Sequence, residues 1–174
     1  MIYIVVALKS EAQAFVDYYK LQKSKLGAYT FFSHKSFKLI VSGIGVQNAR
    51  VATQTLINNF DISDEDAYYN IGICGASKHY ALGSLLQIGA IEHQEITYNF
   101  NTKHKKIVCV YEEISDNSFD IVDMESYGFY DAVVHNPAIQ NFYIYKIVSD
   151  HFQPQTITKE KTKALVFHTI EDIF

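Results

Sequence analysis

Ile121-Val122-Asp123-Met124-Glu125-Ser126-Tyr127-Gly128-Phe129-Tyr130 changes its periodicity halfway along. The β-branched start predicts a strand. From Glu125 onward Tyr127, Tyr130 and Val134 recur every three or four residues, the spacing of one helix face. A carboxylate at such a junction stands at the mouth of a sheet, where open α/β folds keep their ligands. Asp123 and Glu125 would also suit a helix N-terminus as plain dipole partners. Two further acidic residues, Glu11 and Asp150, fall where strands end, and that favours a shared rim over unrelated caps.

Working outward, Ile2–Leu8 is a near-continuous apolar run, the pattern of a central strand covered on both faces. Ser10 then offers an N-cap to a helix bearing Ala12, Phe15, Tyr18 and Tyr19, with Glu11 in its first turn. Ala28–His34 and Phe37–Ser42 read as a hairpin around Lys35-Ser36. The second strand enters Gly43-Ile44-Gly45 and a helix from Val46 to about Phe60, with Val51, Thr55 and Ile57 expected inward. A dinucleotide fingerprint would need a third glycine, and a tight turn accounts for the two present. Ala67–Ile73 is a strand closing in the small-residue turn Gly72–Ala76, where a backbone can approach a flat ligand. Leu82–Tyr98 is strand-rich, with Gly83 and Gly89 as bends or bulges. Lys106–Tyr111 is a further strand before an irregular acidic stretch. Asn141–Val148 is the last core strand, ending in Ser149-Asp150, and Thr158–Ile173 closes the chain as an amphipathic helix.

Strands alternating with helices predict one α/β domain over residues 1–174, a three-layer sandwich with a central mixed sheet flanked by helices. If the strands run parallel, crossover handedness brings the ends bearing Glu11, Gly75, Glu125 and Asp150 to a common rim. The net charge is −4 and Arg50 is the sole arginine, which argues against nucleic-acid binding. Met1–Leu8 is too short for a membrane span or leader. Cys74 and Cys109 form no framework and the seven histidines lack metal-ligand spacing, so neither a disulfide nor a metal is expected. Cytoplasm is the expected compartment.

These pieces, in this order, resemble the nucleoside phosphorylase superfamily, and within it the 5′-methylthioadenosine/S-adenosylhomocysteine nucleosidases. Val6-Ala7-Leu8-Lys9-Ser10-Glu11 is similar to the N-terminal strand with its water-activating glutamate. Ser42-Gly43-Ile44-Gly45 with Asn48-Ala49 is similar to the SGIG helix start, and Asn70–Gly75 to the glycine-rich turn beside the base. Val122-Asp123-Met124-Glu125 resembles the ribose-binding V-E-M-E element, and Ser149-Asp150 the S-D pair with the purine-protonating aspartate. The resemblance implies a purine nucleoside N-ribosyl hydrolase without cofactor, in a homodimer or higher homo-oligomer. Asp150 would be the acid and Glu11 the base for water, a division of labour that glycosidic cleavage requires. Glu125 and Met124 would hold the sugar, and Cys74, Gly75, Ser149 and Lys146 would complete the substrate site. Such an acid needs a carboxyl buried away from water.

Departures from the family pattern open two alternatives. Gly89–Asp123 is much shorter than in the family, and Glu113 stands at the place of its base-stacking aromatic, which would suit a member that binds a nucleoside or metabolite without cleaving it. Phosphate-dependent cleavage is the other. No arginine accompanies the Glu11 loop or the Gly72–Gly75 turn to fork around a phosphate, and Lys146 replaces the family's arginine near the water.

Overall fold

A computed structural model describes residues 1–174. Strands β1 (Ile2–Val6), β5 (Ala67–Ala76) and β10 (Asn141–Asp150) form its centre and run parallel. Alternation along β1 sends Tyr3 and Val5 into one buried apolar cluster and Ile4 and Val6 into another, so both faces of this strand are covered. Helices α1 (Lys9–Tyr19) and α4 (Lys159–Ile173) cover the face of Ile4 and Val6. Helices α2 (Val46–Asn59) and α3 (Ser126–Val134) cover the other. The three layers and mixed sheet predicted from sequence are present.

On one side of the centre β4 (Phe37–Val41) pairs parallel with β1, and β3 (Tyr29–His34) and β2 (Gln22–Leu26) continue antiparallel to the edge. The sequence does not announce β2. Gln-Lys-Ser-Lys-Leu has no apolar alternation, and this exposed edge strand is set by its backbone ladder to β3. On the other side β6 (Leu85–His93) runs antiparallel to β10, with β7 (Ile96–Asn99) as its hairpin partner. Strand β8 (Lys105–Cys109) lies parallel to β6, its register slipping between Ile88 and Ala90, at Gly89. Strand β9 (Ile121–Asp123) then joins β8 to β5, so β5, β10, β6, β8 and β9 close into a ring.

That closure corrects one expectation. Strands β1, β5 and β10 do bring their C-terminal ends to one rim, but β9 is antiparallel to β5, through Gly75–Val122 and Ala76–Ile121. Strand β1 stops pairing with β5 at Asn70, and β9 begins pairing at Gly75. The C-terminal ends of β1 and β9 therefore approach from opposite directions along one edge of β5, leaving an unpaired stretch between them. Glu125 reaches the rim by that route rather than on a parallel strand.

Two local expectations also shift. The N-cap of α1 is Leu8, not Ser10, because Glu11 at the third helical position reaches back to the Leu8 N–H, 2.8 Å away. On α2 the buried residues are Val46, Ala49, Ala52, Thr53 and Leu56, while Val51 is exposed and Thr55 and Ile57 are half-buried. The small residues face inward because α3 crosses very close. A Cβ on Gly128 would lie 1.9 Å from the Val46 carbonyl oxygen. Phe129 beside it is wholly buried, and that burial contributes roughly 1.5–3 kcal/mol to holding α3 down. This crossing seats the start of α3 against the Gly43–Gly45 turn.

Candidate active site

The unpaired stretch of β5 opens into a cavity of about 260 Å³, just below the span of roughly 300–1,000 Å³ usual for small-molecule sites. Glu11, Cys74, Gly75, Met124, Glu125, Ser149 and Asp150 all line it. Lys146, which the resemblance places in the substrate site, is not on its wall. Ile44, from the Gly43-Ile44-Gly45 turn, is, and so are Val110, Glu112, Ile114, Pro154 and Ile157, which the sequence did not single out as site residues. Val110, Glu112 and Ile114 belong to the segment between β8 and β9, whose approach depends on the ring closing.

Glu11 is only 1% exposed. Its Oε2 accepts from the Ala7 and Leu8 N–H groups at 3.0 and 2.8 Å, and its Oε1 from the Ile73 N–H at 2.9 Å. The carboxylate thus bridges β1 and β5 where their ladder ends, answering backbone donors that would otherwise be orphaned. Gly72 makes room for it, since a Cβ there would sit 2.9 Å from Oε1. Burial raises the carboxyl's pKa above the ordinary glutamate value, against the three N–H bonds and Lys146, which lower it.

Glu125 is also buried. Its Oε1 accepts from the Gly45 N–H at 2.9 Å, which ties α3 to the turn before α2, and no hydrogen bond reaches its Oε2. Burial, with the nearby Asp123 charge adding, pushes its pKa up to about 7, although Lys146 works in the opposite sense.

Beneath these two lies a buried ion pair, Lys146 Nζ to Asp123 Oδ2 at 2.7 Å. Asp123 also accepts from the Ser126 N–H at 2.8 Å and the Ser126 hydroxyl at 2.6 Å, so one side chain caps α3 and anchors the lysine. Burial opposes the charge on Lys146, but Asp123, Glu125 and Glu11 outweigh it and raise its pKa. The β-branched run before Asp123 is legible in the sequence; its pairing with a lysine on β10 is not, because β9 and β10 are not neighbours in the sheet.

Asp150 ends β10 just after a register shift that falls at Ser149, a bulge of the kind that re-aims a side chain beside a site. Its Oδ1 accepts from the Gln153 N–H at 2.8 Å. The Ser149 hydroxyl has both Asp150 Oδ2, at 2.7 Å, and the Cys74 carbonyl oxygen, at 3.1 Å, within reach of its one proton. Cys74 is lining rather than nucleophile: burial raises its thiol pKa far above the ordinary value.

Chemically, the cavity offers three separately held carboxyl groups to one small guest, from the ends of β1, β9 and β10. None of its lining residues is a lysine, arginine, histidine, phenylalanine or tyrosine. No helix of the protein is long and apolar enough to cross a membrane.

No protein-family model and no curated protein sequence matches the chain. Solved structures do. The 5′-methylthioadenosine/S-adenosylhomocysteine nucleosidase of Neisseria meningitidis, in complex with methylthio-immucillin-A, superposes with a TM-score of 0.77 at 16% identity, over 99% of this chain and 97% of that one. The Arabidopsis thaliana 5′-methylthioadenosine nucleosidase gives 0.75 at 16% identity, covering 99% and 95%. Futalosine hydrolase of Helicobacter pylori gives 0.75 at 11% identity, covering 98% and 97%. At such identities the likeness is one of architecture, and the chain is built on the nucleoside phosphorylase-like fold of these nucleosidases.

Proposed function

We propose that the protein is a purine nucleoside N-ribosyl hydrolase. The observation that carries this is the convergence of Glu11, Glu125 and Asp150 on one cavity of about 260 Å³. In the reaction water's oxygen bonds to the sugar's anomeric carbon as the bond to the base nitrogen breaks. Asp150 delivers a proton to the purine and Glu11 takes one from the water, while Glu125 accepts hydrogen bonds from the sugar hydroxyls through its free Oε2. A proton donor and a water-activating base on a cleaving bond contribute roughly 10²–10⁴-fold each. The names of the structural neighbours, two nucleosidases and a futalosine hydrolase, support the reaction class. Water is favoured over phosphate as nucleophile because no cationic side chain lines the cavity.

Incubation with methylthioadenosine, adenosylhomocysteine and inosine, with free base measured by chromatography in phosphate-free buffer, tests this directly. Base release that drops at least about 100-fold in Asp150→Asn is expected. Release only on adding phosphate would convert the proposal to a phosphorylase.

Binding without turnover is the second reading, favoured by the absence of any aromatic ring on the cavity wall to stack on a base. Saturable binding of these nucleosides with no released base would decide for it. Self-association belongs to the same proposal, and a monomer mass by light scattering would reject it.

A further inference from the structure

The lining of the cavity is charged in one sense only. Glu11, Glu112, Glu113, Glu125 and Asp150 contribute carboxyl groups, and no basic side chain faces them from the wall. Lys146 compensates the buried members from below, through Asp123. Glu112 and Glu113, exposed on the segment between β8 and β9, are compensated by nothing: neither enters an ion pair or hydrogen bond anywhere in the structure. Deeper in the same cavity the buried Glu125 leaves its Oε2 without a hydrogen-bond donor, and no cationic side chain lines the wall at either depth. A guest supplies what the wall omits.

We propose that Glu112 and Glu113 make the mouth of this cavity a charge selector, admitting nucleosides whose outward-facing arm carries a cationic group, such as a protonated amine, and rejecting those with an anionic arm. The proposal rests on the nucleosidase reading for the rest of the guest, but its sign comes from the mouth alone. An exposed carboxylate pair attracts a cation and repels an anion by modest amounts. Exchanging an anionic for a cationic arm against two such groups is worth about thirtyfold in selectivity at low salt. Because the mouth is open to solvent, that ratio shrinks to a few-fold near 1 M salt, where screening acts over about 3 Å.

Three matched probes test it: 5′-amino-5′-deoxyadenosine (cationic), 5′-methylthioadenosine (neutral) and adenosine-5′-carboxylic acid (anionic). The expected kcat/KM order is cationic, neutral, anionic, with the cationic-to-anionic ratio collapsing towards one in the Glu112→Gln, Glu113→Gln double variant and shrinking to a few-fold at high salt. A flat or reversed order in the unaltered protein would overturn the proposal, as would a ratio untouched by the double variant. If no probe releases base, the same order is sought in Kd by calorimetry. A charge-ranked Kd then supports the selector while the hydrolase reading fails. Equal affinities, or no binding of any probe, sink the selector itself.

Discussion

The floor of the cavity and its mouth are both acidic, and they handle that charge differently. On the floor Glu11 is held by three backbone N–H groups, and Asp123 by Lys146 and Ser126. At the mouth Glu112 and Glu113 face solvent with no partner. The floor carboxylates are therefore fixed in place, and burial raises the pKa of Glu11, whereas those at the mouth are free to meet whatever arrives. Burial forces every floor charge to have a partner, because an unpaired one is expensive; solvent removes that demand at the mouth.

The harshest test of this contrast is Lys146→Met. It strands Asp123 among buried carboxyls and is expected to destabilise the fold by about 3–5 kcal/mol. For a chain of this length that is a fall of roughly 6–20 °C in Tm, read by calorimetry. Pairing it with Asp123→Leu removes both charges and should recover a large part of the loss. A lone Lys146→Met that leaves Tm unchanged would mean the floor is solvated after all.

Glu125 sharpens the comparison through pH. Its carboxyl stands at about 7 in the folded chain against an ordinary value of 4.5, so folding favours the protonated form. The associated stability is fully present below about 4.5 and is lost as pH rises through about 7, amounting to roughly 3 kcal/mol. Denaturant titrations at pH 4.5 and pH 8 should show the unaltered protein losing about that much more than Glu125→Gln. Base release should move the other way, climbing as pH rises through about 7, because the ionised carboxylate is the form that accepts sugar hydroxyls. Stability and activity rising together over that range would contradict the assigned role.

Gly72→Ala presses a methyl group against Glu11 Oε1. Loss of one or two of the carboxylate's N–H bonds predicts about 1–3 kcal/mol of destabilisation, together with a fall in base release larger than stability alone explains. The mouth closes the series. Glu112→Lys with Glu113→Lys should change folding stability by only about 0.5 kcal/mol per site, measurable as a nearly unmoved Tm. A drop as large as that of Lys146→Met would erase the distinction between floor and mouth.

Much of this was legible in the chain itself. A near-continuous apolar run marked β1 as covered on both faces, Ala67–Ile73 and Asn141–Val148 read as further strands, and the change of period at Glu125 marked β9 giving way to α3. Glu11, Glu125 and Asp150 stood out because each is an acidic residue at a strand end. Strand β2 escaped notice because an exposed edge strand needs no apolar pattern, and the inward face of α2 was misjudged because the closeness of α3 selects small residues over large ones.

Sequence alone determined the α/β class, the order of the core strands and helices and which carboxylates sit at strand ends, since those follow from local periodicity and from residues adjacent along the chain. Only the tertiary structure decided that β9 returns antiparallel to close the ring, that Asp123 and Lys146 neutralise each other, and that Glu112 and Glu113 overlook the cavity unpaired. Those facts depend on contacts between segments far apart in the chain, and no pattern within a single segment encodes which distant partner will complete it.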